Sequence, residues 1–244
     1  MENTASRRTG PVGRIAGLAT AVLTAGSALL GAPVPSASAQ PCPDVDVVFA
    51  RGTGEPPGLG GVGQAFVDAL RSQVGSRSVD VYPVNYAASS NFAAGVDFAR
   101  TVVDGIRDAG EHIRSEAANC PNTKIVLGGY SQGAALAGFV TAAGVPETVP
   151  AAFRSYIPQP LPPDVADHVA AVVLFGEPSD QFMSENGSPA VTIGPLYAGK
   201  TLNLCAEGDT ICNGAPGGGP SLAHALYGVN GMTAAGAAFA AGRL

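Results

Sequence analysis

Tryptophan is absent from this chain, and aromatic residues make up only 6% of its 244 positions. A sequence so poor in rings offers no obvious platform on which sugar faces could stack. Basic residues are scarce too, 13 Lys and Arg against 19 Asp and Glu, for a net charge of −6. That balance disfavours nucleic acid and anionic membrane surfaces as partners. The four Cys come without a C-x-x-C pair or a His-x-x-x-His, so zinc has no support as their ligand and no metal or other cofactor is expected. No internal repeat is visible, and beyond the first 39 residues no apolar run is long enough to span a bilayer.

Those first 39 residues read as an export leader. Arg7, Arg8 and Arg14 supply a positive start, Ile15 to Leu30 an apolar core, and Ala37-Ser38-Ala39 a small-residue cleavage site. The mature chain is then residues 40–244, one secreted domain beginning at Gln40. The apolar residues that should follow a twin-arginine pair are missing after Arg7-Arg8, so the export route stays open. No Cys stands at the cleavage site, which removes support for a lipid anchor. Without Arg7, Arg8, Arg14 and Glu2 the charged residues fall to 10 basic against 18 acidic, a net charge of −8. Cys42, Cys120, Cys205 and Cys212 all lie in the mature part, and an even count in an exported chain reads as two disulfides. Of three possible connectivities the spacing favours 42–120 with 205–212, one long staple and one local loop.

Along the mature chain, strand-like and helix-like segments alternate. Asp44–Phe49, Val79–Tyr82, Lys124–Leu127, Val169–Phe175 and Thr201–Leu204 read as strands, the fourth a continuous apolar run suited to a buried parallel position. Between them, Phe66, Leu70 and Val74 keep helical spacing, as do Phe98, Val102, Ile106, Ala109, Ile113 and Ala117, with Asn91 as an expected cap. A closing helix is expected over Asn230–Ala241. Alternation of this kind predicts a parallel sheet with right-handed crossovers. His112 falls inside the second helix and is expected to face solvent.

Gly129-Tyr130-Ser131-Gln132-Gly133 follows one of these strands and precedes the small-residue segment Ala134–Val140. Strand, sharp turn and helix with Ser at the apex is a nucleophile elbow. A serine hydroxyl is a poor nucleophile until a neutral imidazole takes its proton, and the imidazole needs a carboxylate to orient it. In this arrangement the acid and then the base follow the serine in the chain. Only His168 and His224 follow Ser131; His168 abuts a strand, whereas His224 lies in a loop beyond the last one. Among the acids, Asp209 stands inside the small loop Cys205–Cys212, which would hold it still, with Glu207 as the alternative. The backbone N–H of Gln132 supplies one oxyanion donor. The second should come from the loop after the first strand, Arg51-Gly52-Thr53-Gly54, with Thr53 the leading candidate.

Arg51-Gly52-Thr53, the elbow, Cys205-x-x-Gly208-Asp209-x-x-Cys212 and His224-x-x-Tyr227 together resemble the cutinases, and especially their bacterial relatives. The resemblance implies a compact five-stranded α/β-hydrolase-like sandwich with helices on both faces and no large lid. It implies the triad Ser131, Asp209 and His224, an oxyanion hole from Thr53 and Gln132, and the disulfides Cys42–Cys120 and Cys205–Cys212. It also implies a secreted, cofactor-free, monomeric esterase acting on cutin-like polyesters, acyl esters or lipids, without stable membrane insertion. An acetylxylan-type deacetylase and a non-catalytic secreted binding protein are the alternatives on the same fold.

Overall fold

Five stretches rich in β-branched residues form one parallel sheet in the computed structural model, which describes residues 41–244. They are β1 (Val45–Ala50), β2 (Val79–Pro83), β3 (Lys124–Tyr130), β4 (Val169–Phe175) and β5 (Thr201–Leu204), in the spatial order β2-β1-β3-β4-β5. The expected leader and its cleavage site lie outside the described residues. Helices α1 (Gly60–Gln73), α2 (Val96–Asn119) and α3 (Gln132–Val140) are followed by the short α4 (Ala151–Arg154), α5 (Pro163–Ala166), α6 (Asp180–Glu185) and α7 (Pro195–Ala198). One-turn α8 (Leu222–Ala225) and α9 (Met232–Ala241) end the chain. Among the described residues, no helix is long and apolar enough to cross a membrane.

The period of two in β1 divides the core. Val45, Val47 and Phe49 turn to one face, where they meet Phe66 and Leu70 of α1 and Ala237 and Ala240 of α9. Val48 and Ala50 turn to the other, against Ala109 and Ile113 of α2 and Leu136 of α3. Helices thus cover both faces, which is why the central strands read as near-continuous apolar runs. Each fully interred Val, Leu, Ile or Phe there contributes roughly 1.5–3 kcal/mol of transfer free energy. One residue breaks the pattern: Asp46, on the α2 side of β1, is an acid with only 3% of its surface exposed.

Two expectations fail at α2. Asn91 does not cap it; Asn91 precedes a 3-10 turn at Phe92–Ala94, and α2 starts at Val96 after Gly95 turns the chain at φ 55°. Glycine takes that conformation without penalty, so the break falls there. Nor is the whole apolar stripe core. Ala109 and Ile113 are buried, whereas Phe98, Val102 and Ile106 are only partly covered and border an open cleft.

Both disulfides form as expected, Cys42–Cys120 with Cα atoms 5.5 Å apart and Cys205–Cys212 with Cα atoms 5.7 Å apart. The long staple joins the entry to β1 with the end of α2. Strand order reverses between β1 and β3, and in open α/β sheets ligands bind in the crevice at the carboxyl ends beside such a point.

Candidate active site

β1 and β3 finish side by side, Ala50 in register with Gly129. β3 then delivers Ser131, which adopts φ 55° and ψ −118°, a region costly for a residue with a Cβ. Two glycines make the turn possible. A Cβ on Gly129 would collide with the carbonyl of Gly133, and one on Gly133 with the carbonyls of Ala50 and Arg51. Backbone stands in the way both times, so neither clash can relax by a rotamer change. The approach of Gly133 also draws the start of α3 against the end of β1. The Ser131 N–H donates to Phe175 O at 2.9 Å and fastens the turn to β4.

His224 meets this serine from the far side of the chain. Its Nε2 lies 2.8 Å from Ser131 Oγ, and its Nδ1 lies 2.8 Å from Asp209 Oδ2. Asp209 is fully buried, and Ile211 N–H donates to its Oδ1 at 3.0 Å. Glu207, the alternative acid, is exposed two residues earlier in the same loop. β5 runs straight into Cys205, so strand and disulfide together set the carboxylate. His224 is placed by α8, whose N-cap Ser221 accepts the His224 N–H at 3.1 Å.

Two tyrosines complete the arrangement, and sequence reasoning gave neither a role. Tyr227, fully buried, donates its hydroxyl to Asp209 Oδ2 at 2.8 Å and accepts the Ala206 N–H at 2.8 Å. Burial, and then the bond to Asp209, push its phenol well above the ordinary range. Tyr130 donates to the carbonyl of His224 at 2.6 Å, and burial raises its phenol to about 12. The signal for Tyr227 was its place three residues after His224.

The loop after β1 is held from within. Arg51 donates to the carbonyls of Glu55 and Tyr86, each at 2.7 Å, and the Tyr86 hydroxyl donates to Arg51 O. Glu55 accepts the N–H groups of Gly52 at 2.6 Å and Gly61 at 2.8 Å. With Gly52 N–H so engaged, and Gly54 N–H on Ala88 O at 2.7 Å, the peptide of Thr53 is fixed between two anchors. Ala88 is, with Ser131, one of two non-glycine residues at positive φ among the described residues. Gln132 occupies the first position of α3, where a backbone N–H has no intrahelical partner. Its side chain donates to Ser89 O at 3.0 Å and so points away from the serine.

The other two histidines lie elsewhere. His168 sits just before β4, at the opposite end of the sheet. His112 is not solvent-facing as expected: it is partly buried, bonded to Asp46 and stacked on Tyr82. The acid came from a strand 66 residues away, which helical spacing could not reveal.

Thr53, Ser131, Gln132 and His224 open onto a cleft of about 1950 Å³. Phe92, Phe98, Val102, Ile106, Phe139 and Phe153 give one flank an apolar lining. Behind the elbow helix lies Glu177, 9% exposed, accepting from Asn203 Nδ2. Burial first, and Asp180 next, raise its carboxyl to about 7.

A family model described as Cutinase matches residues 41–244. The chain belongs to the cutinase family. Among its relatives, the probable carboxylesterase Culp7 of Mycobacterium tuberculosis is 58% identical over 173 residues, 71% of this chain and 89% of that one. Carboxylesterase Culp1 of the same organism is 49% identical over 235 residues, covering 95% of both chains. A solved cutinase of Trichoderma reesei, bound to a phosphonate inhibitor, is 34% identical, with a TM-score of 0.57 over 82% of this chain and 76% of that one. This cutinase-family chain is a carboxylic ester hydrolase, with an ester or lipid as its substrate. Its family is one of secreted proteins.

Proposed function

We propose that Ser131 is the nucleophile of a secreted esterase, with His224 as base and Asp209 as the acid that orients it. The observation that carries this reading is the unbroken relay from Ser131 Oγ through His224 to buried Asp209, with both links at 2.8 Å. Ser131 Oγ attacks the ester carbonyl as its proton passes to His224 Nε2. Asp209 Oδ2, on Nδ1, stabilises the imidazolium that forms. The carbonyl oxygen becomes an oxyanion, for which the N–H groups of Gln132 and Thr53 are the donors. His224 then returns the proton to the departing alcohol, leaving an acyl-enzyme on Ser131. Water, deprotonated by the same imidazole, attacks that acyl group and releases the acid.

The acyl part of the substrate is apolar in this proposal. The phenylalanine-lined flank beside Ser131 suits a hydrocarbon chain. The test is a series of chromogenic acyl esters of increasing length, run beside acetylated xylan, a phospholipid and a polyester film. Catalytic efficiency rising from acetyl toward longer acyl chains supports the assignment. Faster turnover of acetylated xylan than of any acyl ester would move it to the deacetylase alternative, and no turnover at all to a binding protein. Residues 1–39 are proposed as the leader, so protein recovered from the medium should begin at Gln40 on N-terminal sequencing.

A further inference from the structure

At the other end of the sheet, three side chains of metal-ligating type converge from two elements. Asp46 pairs in register with Ile125, six residues before Ser131, which places it about 20 Å from the elbow along the strands. It is almost wholly buried and turned toward α2. His112 and Glu116 stand one turn apart on α2, on one helix face, and both are directed at it. His112 Nε2 is 2.7 Å from Asp46 Oδ2, and the ligating atoms of all three residues lie within 4.8 Å of one another. The His112 ring is held from the side by Tyr82, with centroids 3.6 Å apart and planes 6° apart.

An aspartate and an imidazolium would balance each other, but the third member leaves that pair incomplete. Glu116 Oε1 is shut off from solvent and has no hydrogen-bond partner. A carboxylate oxygen in that state is costly. One imidazole therefore answers two carboxylates, and a doubly charged cation would restore the balance.

We propose that Asp46, His112 and Glu116 bind a divalent cation of the zinc class. One imidazole nitrogen and two carboxylate oxygens are ligands that Zn²⁺ takes at about 2.0–2.2 Å. Two ligands on a tetrahedral ion stand about 3.3 Å apart, so the His112–Asp46 contact need open by only about half an ångström. His112 gives up its Nε2 proton to the medium as the metal enters. Its ring, 23% exposed, leaves a path from solvent. The role is structural. Cys42 lies four residues before Asp46 and Cys120 four after Glu116, so the ion would clamp the two segments that the long disulfide already joins.

The experiment strips purified protein with EDTA, then titrates zinc sulfate into wild type, His112→Gln, Glu116→Gln and His224→Gln. Native mass spectrometry should find one zinc on wild type, and zinc at a hundred times its Kd should raise Tm by about 5–10 °C. Glu116→Gln keeps the Asp46–His112 contact and removes the unbalanced charge, so its metal-free Tm should be no lower than wild type while its zinc affinity falls at least tenfold. His112→Gln should lose zinc likewise; should it fail to fold, Glu116→Gln decides alone. His224→Gln should bind as wild type does. No zinc on wild type, or equal affinity in Glu116→Gln, overturns the site.

Discussion

Two aspartate–histidine pairs of nearly the same geometry stand at opposite ends of this sheet, Asp209–His224 at 2.8 Å and Asp46–His112 at 2.7 Å. What differs is what each imidazole has left to offer. In His224 the Nδ1 is committed to the acid, and Nε2 faces a serine at the edge of a cleft. In His112 it is Nε2 that is committed, while a tyrosine ring stacks on the imidazole and the nearest further ligand is another carboxylate. The acids differ as well: Asp209 also receives a phenol and a backbone N–H, which fix its orientation. A buried Asp–His contact is thus not enough to make a base. In the proposed mechanism it becomes one where the strand ends bring it to Ser131, and at the strand starts the same chemistry has nothing to deprotonate.

The sharpest way to break the comparison is to remove each imidazole in turn. His224→Gln, like Ser131→Ala, should lower kcat by about 10⁴-fold or more, since members of a triad act as a unit. His112→Gln should leave kcat and KM within a factor of about two in protein that remains folded. A fluorophosphonate probe should label Ser131 in wild type and in the His112 variant, and nothing in Ser131→Ala. Labelling of Ser131→Ala, or loss of activity in folded His112→Gln, would reverse the roles given to the two ends.

Each pair also stands beside one disulfide, so the staples test the same contrast. In the chain-entropy model the bridge Cys42–Cys120, with a sequence separation of 78, is worth roughly 4.5 kcal/mol. Cys205–Cys212, with a separation of 7, is worth roughly 2.5 kcal/mol. Replacing the long pair by Ser should therefore cost more stability, read as the denaturant midpoint. Activity should follow the opposite order, because the short loop carries Asp209 and a small displacement of the acid frees His224. An unchanged kcat in the short-loop variant would mean that Tyr227 and Ile211 hold the acid without help from the bridge.

Much of the candidate-site end was legible because its signals are local. Gly129 and Gly133 flank Ser131, Cys205 and Cys212 bracket Asp209, and the central strands β3 and β4 read as near-continuous apolar runs. The other end was not. Asp46 reads as one polar residue in a strand, and only the packing of α2 on β1 brings His112 and Glu116 to it. Phe98, Val102 and Ile106 have core periodicity, yet they are only partly covered and border a cleft. Glu177 carries no pattern at all; it is buried just past the end of β4, beside Asn203 of β5.

Glu177 sharpens the comparison as a buried carboxyl with no imidazole beside it. Its folded pKa of about 7 lies above the ordinary 4.5, so the folded chain holds this proton where the unfolded chain has lost it. Folded chains then bind more protons than unfolded ones between about pH 4.5 and 7, and stability falls as pH rises through that window. The loss is at most about 3 kcal/mol, complete above pH 7. Glu177→Gln keeps an acceptor for Asn203 but cannot ionise. Its stability relative to wild type should climb from pH 4.5 to 7 and then level. Urea midpoints of the two proteins that run parallel across this range would show that the site relaxes or hydrates on ionisation.

The smallest effect concerns the groups that hold each pair. Tyr227→Phe keeps the buried ring but deletes the hydroxyl shared by Asp209 Oδ2 and the Ala206 N–H. The loosened acid should lower kcat about tenfold with little change in KM, because the phenol touches no substrate. Its pH profile should move as well. The phenol's hydrogen bond satisfies part of the negative charge that Asp209 presents to His224. Without it, with only the Ile211 N–H left on the acid, more of that charge acts on the imidazolium that the proposed mechanism forms. The acid limb of kcat/KM should therefore shift upward, which a merely structural loss of packing would not produce. Tyr82→Phe is the control at the other end, where the stacked ring remains and the bond to Asp108 is lost. It should leave both kcat and the pH profile unchanged. A Tyr227→Phe enzyme with lowered kcat but an unmoved acid limb would mean that the phenol packs the loop without tuning the acid.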